Sequence, residues 1–172
     1  MGHLTCLEET LLKEEDLDYT VIELPEVCSA GSAFAKRHGL STKFSSVIND
    51  DSEADLIFCS SAFQYINDWK GLIRQFADVA PKAILMSDVF CGNFSTFATL
   101  QNYYESKMPH WFFNVSDFIN EFFINGYTMI SKSVAIGVRD GNVDLLPMDN
   151  FPESNRLKTS SHLLFLKNTQ II

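Results

Sequence analysis

The chain is short of positive charge, of cysteine and of long apolar runs, and each shortage excludes something. Its 172 residues carry 13 Lys and Arg against 22 Asp and Glu, a formal charge of −9. Nucleic acid and anionic lipid are bound by a positive field, so the balance argues against both and favours small neutral or cationic ligands. Cys6, Cys28, Cys59 and Cys91 are scattered, with no C-x-x-C and no nearby histidine pair. No metal site is therefore expected, and the thiols read as buried or half-buried groups in a reducing cytoplasm. No stretch approaches the ~20 apolar residues of a membrane span, and the first twenty residues are acidic without the apolar core of a signal peptide. The expectation is a soluble, cytoplasmic protein, in which the sequons Asn93-Phe-Ser95 and Asn114-Val-Ser116 carry no sugar. No internal repeat or low-complexity tract is found. What is present is a 46% apolar composition with 15 Phe, enough for a single domain over 1–172 with a real core.

The order of elements follows from hydrophobic spacing. Leu4, Leu7, Leu11 and Leu12 predict an amphipathic helix over 4–15. Residues 19–24 read as a buried strand closed by Pro25, followed by a small-residue helix over 29–38 that Gly39 caps. A short strand is expected over 43–48 and a stronger one over 54–59, where an unbroken apolar run follows an acidic turn. Trp69, Leu72, Ile73 and Phe76 mark one face of a helix over 66–79, and 82–89 returns as a strand ending in Ser87-Asp88. A long aromatic segment then runs from Phe90 to Phe113, with Gln101 and Tyr103 placed on a helix. A helix over 116–125 and strands over 127–138 and 161–167 complete the chain. The long loop 139–160 between the last two strands suggests an antiparallel pair at a sheet edge. Strands alternating with helices at this spacing predict an α/β, doubly wound, mostly parallel sheet with an antiparallel C-terminal strand.

In such a sheet ligands bind beyond the carboxyl ends of the strands. Glu23 and Leu24 close the 19–24 strand, and a carboxylate there can accept two hydrogen bonds from the vicinal hydroxyls of a ribose; an acid simply left in solvent would look the same. Ser46, Val47 and Ile48 end the next strand, where an adenine would find an apolar wall, or where the strand merely stops. Ser60, Ser61, Gln64 and Tyr65 gather two hydroxyls, an amide and a phenol directly after a buried strand, while Phe63 and Ile66 beside them read as core. Asp88 is the acid at the end of its strand, suited equally to general-base work and to helix capping. His110 lies in Met108-Pro-His-Trp111-Phe-Phe113, either as a catalytic group in an aromatic lid or as a packed structural histidine. Tyr103-Tyr-Glu-Ser-Lys107 matches Y-x-x-x-K, which on one helical face would pair a phenol and a lysine for hydride transfer, but the glycine fingerprint of such a reductase is absent.

Together Gly2-His-Leu, Val21-Ile-Glu23-Leu-Pro25, Asp55-Leu-Ile-Phe-Cys-Ser60-Ser61-x-x-Gln64-Tyr65, Ser87-Asp88, Leu100-Gln101 and Pro109-His-Trp111-Phe112-Phe113 resemble the class I, S-adenosylmethionine-dependent methyltransferase family of bacterial polysaccharide-locus proteins. The resemblance runs from residue 1 to about 130 and resumes weakly at 161–167. It implies a Rossmann-like methyltransferase sheet with S-adenosylmethionine as cofactor. Glu23 and Leu24 would bind the adenosyl ribose, Ser46 and Val47 would lie near adenine, and Ser60, Ser61 and Gln64 would line the methionine side. Asp88, Gln101 and Trp111 would border a small or sugar-linked acceptor, which Tyr103, on the helix expected to carry Gln101, could also face. Intact members carry a strand running into Asp-x-Gly-Gly-x-x-Gly ahead of the first helix, and this chain begins at the last two residues of that motif, with Gly2 on the cofactor. A sheet lacking its first strand is therefore expected, with weakened cofactor binding, lowered stability or homo-oligomers formed through unpaired strand edges. A non-catalytic Rossmann-like binding or regulatory module is the alternative.

Overall fold

The computed structural model describes residues 18–48, 53–139 and 142–168, in two compact units, residues 1–49 and 50–172. Gly2, Cys6 and the helix expected over 4–15 lie outside the described residues. In the first unit β1 (Thr20–Ile22) and β2 (Lys43–Ser45) pair in parallel, Thr20 opposite Lys43 and Ile22 opposite Ser45. The helix that joins them, α1 (Pro25–His38), starts four residues before the expected boundary. Pro25 is the cause: its fixed φ and missing N–H suit the first helical turn, so it opens the helix as well as closing the strand. Gly39 ends α1 at φ 69°, the left-handed cap the sequence indicated. Gly31 on the buried face of α1 lets the helix close on Phe44, since a Cβ there would stand 2.3 Å from the Phe44 ring.

The second unit is built on a four-stranded sheet in the order β3, β4, β11, β8, comprising β3 (Leu56–Ser60), β4 (Ala83–Val89), β11 (Ser160–Lys167) and β8 (Tyr127–Ala135). β3 and β4 are parallel, whereas β11 runs antiparallel to both its neighbours. The sheet is thus mixed rather than mostly parallel, and the last strand lies inside it rather than at the edge. Its alternation of Leu163 and Phe165, both fully buried, with half-buried and exposed positions fits a strand flanked on both sides. A second, three-stranded sheet in the order β5, β7, β6 occupies the aromatic segment: β5 (Cys91–Gly92), β6 (Phe97–Tyr103) and β7 (Ser106–Asn114). Gln101 and Tyr103 therefore lie on a strand, not on the expected helix. β-Branched and aromatic residues at alternate positions favour extended chain there, and Tyr104 at φ 51° makes the turn of the β6–β7 hairpin. The strand expected over 127–138 is divided into β8 and β9 (Gly137–Arg139), and the loop expected over 139–160 contains β10 (Asn142–Asp144), which pairs with β9, and a 3-10 turn, Glu153–Asn155.

Aromatic packing holds this unit together. Phe113, Phe118 and Phe122 are fully buried; Trp69 meets Phe113 and Phe118, and Phe122 stacks on Phe165 at 4.0 Å. Side-chain caps fix the ends of α2 (Trp69–Val79) and α3 (Val115–Ile124): Gly71 N donates to Asp68 and Asp117 N to Asn114. Buried Glu121 of α3 is ion-paired with Lys70 and Arg74 of α2. Tyr127 donates its hydroxyl to Pro81 O at 2.9 Å inside the core. Ile66, expected in the core, is instead 37% exposed, because α2 begins only at Trp69 and Ile66 caps the preceding turn. Among the described residues β1 pairs only with β2 and β3 only with β4. Leu56 and Phe58 on β3 are about half exposed, at 52% and 44%. No helix among the described residues is long and apolar enough to cross a membrane.

Candidate active site

The polar groups of the second unit gather where β3 and β4 end. Ser60 stands opposite Ser87 in the parallel register, and Ser61 N continues the ladder by donating to Ser87 O at 3.1 Å. Immediately beyond, Ser61 and Asp88 both adopt positive φ, 51° and 59°. That region is unfavourable for a residue bearing a Cβ, though aspartate tolerates it better than most. The reward is convergence: Ser61 Oγ donates to Asp88 Oδ2 at 2.8 Å, and Ser160 Oγ, from the first residue of β11, donates to Asp88 Oδ1. One carboxylate thus receives hydroxyls from both sides of its own strand. Asp88 is accordingly held at a strand end and does not serve as a helix cap.

His110 completes the cluster. It is 6% exposed in the middle of β7, so it packs within the sheet and not in a lid. Phe90, two residues past Asp88, meets its ring edge-on at 4.6 Å; Tyr65 does so at 5.4 Å, and Phe112 lies at 4.8 Å. Burial pushes the His110 imidazole below its ordinary value, while the charge of Asp88 acts in the opposite sense. Its Nδ1 is buried without a hydrogen-bond partner, as are Gln64 Oε1 and Trp111 Nε1. Tyr65, in the 3-10 turn Phe63–Tyr65, donates to Gln101 Oε1 at 3.1 Å. Gln101 shares the His110 face of the hairpin, since Thr99 is the residue opposite His110 and Gln101 follows it by two. Behind β4, Ser87 Oγ and His162 Nδ1 are 2.8 Å apart. Cys59 on β3 is inert in this setting, its thiol pushed up to about 11 by burial.

The structure therefore brings Ser61, Asp88, Gln101 and His110 into one neighbourhood, with Ser60 and Gln64 on the adjoining strand end and turn and Trp111 next to His110 in β7. Sequence reasoning missed Ser160, whose place depends on how β11 pairs, and undervalued Tyr65. Tyr103 ends β6, and the Y-x-x-x-K spacing to Lys107 crosses a hairpin turn, so the helical pairing it requires does not exist. Glu23, Leu24, Ser46 and Val47 belong to the first unit. Glu23 follows β1, exposed, with Oε2 accepting from Leu24 N at 3.3 Å. Leu24 is the exposed N-cap of α1, without a side-chain cap. Ser46 and Val47 lie in an exposed bend after β2, where Val47 N donates to Ser45 Oγ at 3.2 Å.

The α/β fold is similar to that of solved S-adenosylmethionine-dependent methyltransferases. The chain is similar to a methyltransferase of that kind from Clostridium acetobutylicum, at a TM-score of 0.59 and 12% identity over 89% of this chain and 76% of that one. It is also similar to the 1,6-didemethyltoxoflavin-N1-methyltransferase of Burkholderia thailandensis, solved with 1,6-didemethyltoxoflavin and S-adenosylhomocysteine, at 0.57 and 13% over 98% and 67%. The cyclase SpnF has a similar fold, at 0.59 and 11% over 97% and 71%. No protein-family model and no curated protein sequence matches the chain.

Proposed function

We propose that the chain is an S-adenosylmethionine-dependent methyltransferase acting on a hydroxyl of a small or sugar-linked acceptor, one domain over 1–172, in the cytoplasm and in polysaccharide biosynthesis. The observation that supports this reading is the convergence of Ser61 and Ser160 on Asp88 where β3 and β4 end, with the charge of Asp88 acting on buried His110. When bound, S-adenosylmethionine supplies a methyl group on a sulfonium that leaves as a neutral thioether. Within the first unit, Glu23 would offer a carboxylate to the ribose hydroxyls, with Leu24 beside it, and Ser46 and Val47 would border adenine. Ser60 and Gln64 offer acceptors to the methionine ammonium. Ser61 has committed both its N–H and its hydroxyl proton, so it contributes to the ligand only as an acceptor.

As the acceptor oxygen forms its bond to the methyl carbon, it must lose its proton, and His110 Nδ1 takes it. A neutral imidazole is ready to do so at pH 7 because burial disfavours the charged form. The charge of Asp88, which acts on His110, favours the imidazolium so formed. Gln101 is assigned to the acceptor side together with Tyr103, two residues further along β6, whereas Trp111 follows His110 by one residue and alternates to the other face of β7, so it is not carried into the acceptor site. Positioning supplies most of the rate in such a transfer, because the reacting atoms need only be held in line. The test is transfer of a radiolabelled methyl group from S-adenosylmethionine to a panel of hydroxylated sugars. Labelled product that is lost with His110→Gln supports the reading; transfer unaffected by that change contradicts the role of His110.

A second reading, a non-catalytic binding or regulatory module, draws on one observation: β1 and β3 each have a strand on one side only among the described residues. Open edges of this kind weaken the unit that carries them and favour pairing with another copy of the chain. Cofactor binding without transfer to any acceptor would favour it.

A further inference from the structure

The carboxylate of Asp88 is gripped from two sides. Ser61 approaches from the end of β3, in the parallel half of the sheet, and Ser160 from the start of β11, in the antiparallel half. Ser160 is 5% exposed, and the pairing of Ser161 with Val89 sets it there. A serine in that place has little else to do: at the first position of a buried strand an alanine would pack as well, and a buried hydroxyl is costly unless it is bonded. Among the described residues no lysine or arginine is ion-paired to Asp88, so both hydrogen bonds come from neutral donors that leave its charge uncancelled. Asp88 also sits at φ 59°, a region that aspartate tolerates better than most residues and that its two hydroxyl contacts help to hold.

We propose that Ser160 is a positioning residue of this site, fixing the Asp88 carboxylate so that its charge bears on His110. The proposal deepens the reading of His110 as proton acceptor and rests on it, but its test does not require methyl transfer. Among the described residues, the titratable groups that act on or touch the His110 ring are Asp88 from the end of β4 and Tyr65 from the 3-10 turn. Phe90, Phe112 and the hairpin partner Thr99 carry no charge.

The experiment is NMR titration of the His110 ring in the full chain, its signal assigned by loss in His110→Gln. Asp88→Asn is expected to lower the midpoint by roughly 1 pH unit, since it removes the opposite charge. Ser160→Ala is expected to lower it by about 0.5 unit through loosened geometry, Ser160→Thr to restore it, and Ser160→Ala to add nothing in the Asp88→Asn background. If Ser160→Ala fails to fold, Ser61→Ala, at an exposed position, cuts the other hydroxyl and should lower the midpoint in the same direction. A wild-type midpoint in Ser160→Ala, or, where that variant does not fold, in Ser61→Ala, overturns the proposal; so does an equal fall from Ser160→Ala when Asp88 is already Asn. An enzyme without detectable transfer but with these shifts would sink the methyltransferase reading and leave the role of Ser160 standing.

Discussion

Ser61 Oγ and Asp88 Oδ2 are 2.8 Å apart, and the two residues that own them, at the ends of neighbouring parallel strands, both carry positive φ. Two neighbouring departures from ordinary backbone geometry, joined by one hydrogen bond, hold a carboxylate at the carboxyl ends of two parallel strands. Strain of this order, about 1–3 kcal/mol per residue, is retained at functional sites when neighbouring contacts enforce it.

Substitutions at Asp88 should therefore separate geometry from charge. Asp88→Asn keeps a side chain that tolerates the left-handed region and an oxygen that can accept from one serine, so stability should stay within about 1 kcal/mol of wild type. Asp88→Ala adds the cost of alanine at φ 59° and leaves two hydroxyls unmet, and should lose about 2 kcal/mol or more. Urea unfolding ranks the two, and methyl transfer should fall in both.

His110 should make stability depend on pH. Burial holds the folded-state imidazole below the ordinary value of 6.5, so between the two values the unfolded chain binds the proton first. Stability is therefore full above about pH 6.5 and falls as the pH drops through the folded value. His110→Gln should flatten that part of the profile in urea melts taken from about pH 7.5 to about pH 5.

The aromatic core should outweigh its polar contacts. Phe118 is fully buried and touches Phe63, Trp69, Phe113 and Phe122, and Phe118→Ala should cost about 3–5 kcal/mol. Tyr127→Phe removes a single hydrogen bond to Pro81 O and should cost about 1 kcal/mol. Equilibrium denaturation of both variants checks the order.

Gly31→Ala is expected to destabilise even though alanine is favoured in a helix by about 1 kcal/mol. The new Cβ would lie 2.3 Å from the Phe44 ring, which must swing away from α1. Phe44→Leu in the same chain should recover part of the loss, seen as a rise in Tm over Gly31→Ala alone.

Much of this was legible along the chain and some was not. The strands near 20, 57, 85 and 163 and the helix carrying Trp69, Ile73 and Phe76 show themselves through local apolar spacing. Gly39 announces the end of α1. The β6–β7 hairpin was hidden because its aromatics occupy both faces and Pro109 interrupts the alternation. Pro109 is tolerated because β5 pairs with β7 only at Phe113 and Asn114, leaving the outer edge there without a ladder bond to lose. The insertion of β11 between β4 and β8 is a matter of long-range pairing that no local pattern encodes. The site follows the same division. Ser61 and Asp88 are readable from the rule that ligands sit at strand carboxyl ends, whereas Ser160 arrives from the opposite end of an antiparallel strand.

The central claim is tested most directly by isothermal titration of the whole chain with S-adenosylhomocysteine, beside a Glu23→Ala variant. Saturable binding is expected that is lost or at least tenfold weaker in Glu23→Ala, since a carboxylate that accepts two hydroxyl hydrogen bonds is removed, at about 1.4 kcal/mol per tenfold. Absence of binding by the wild-type chain, or equal binding by both, would contradict it.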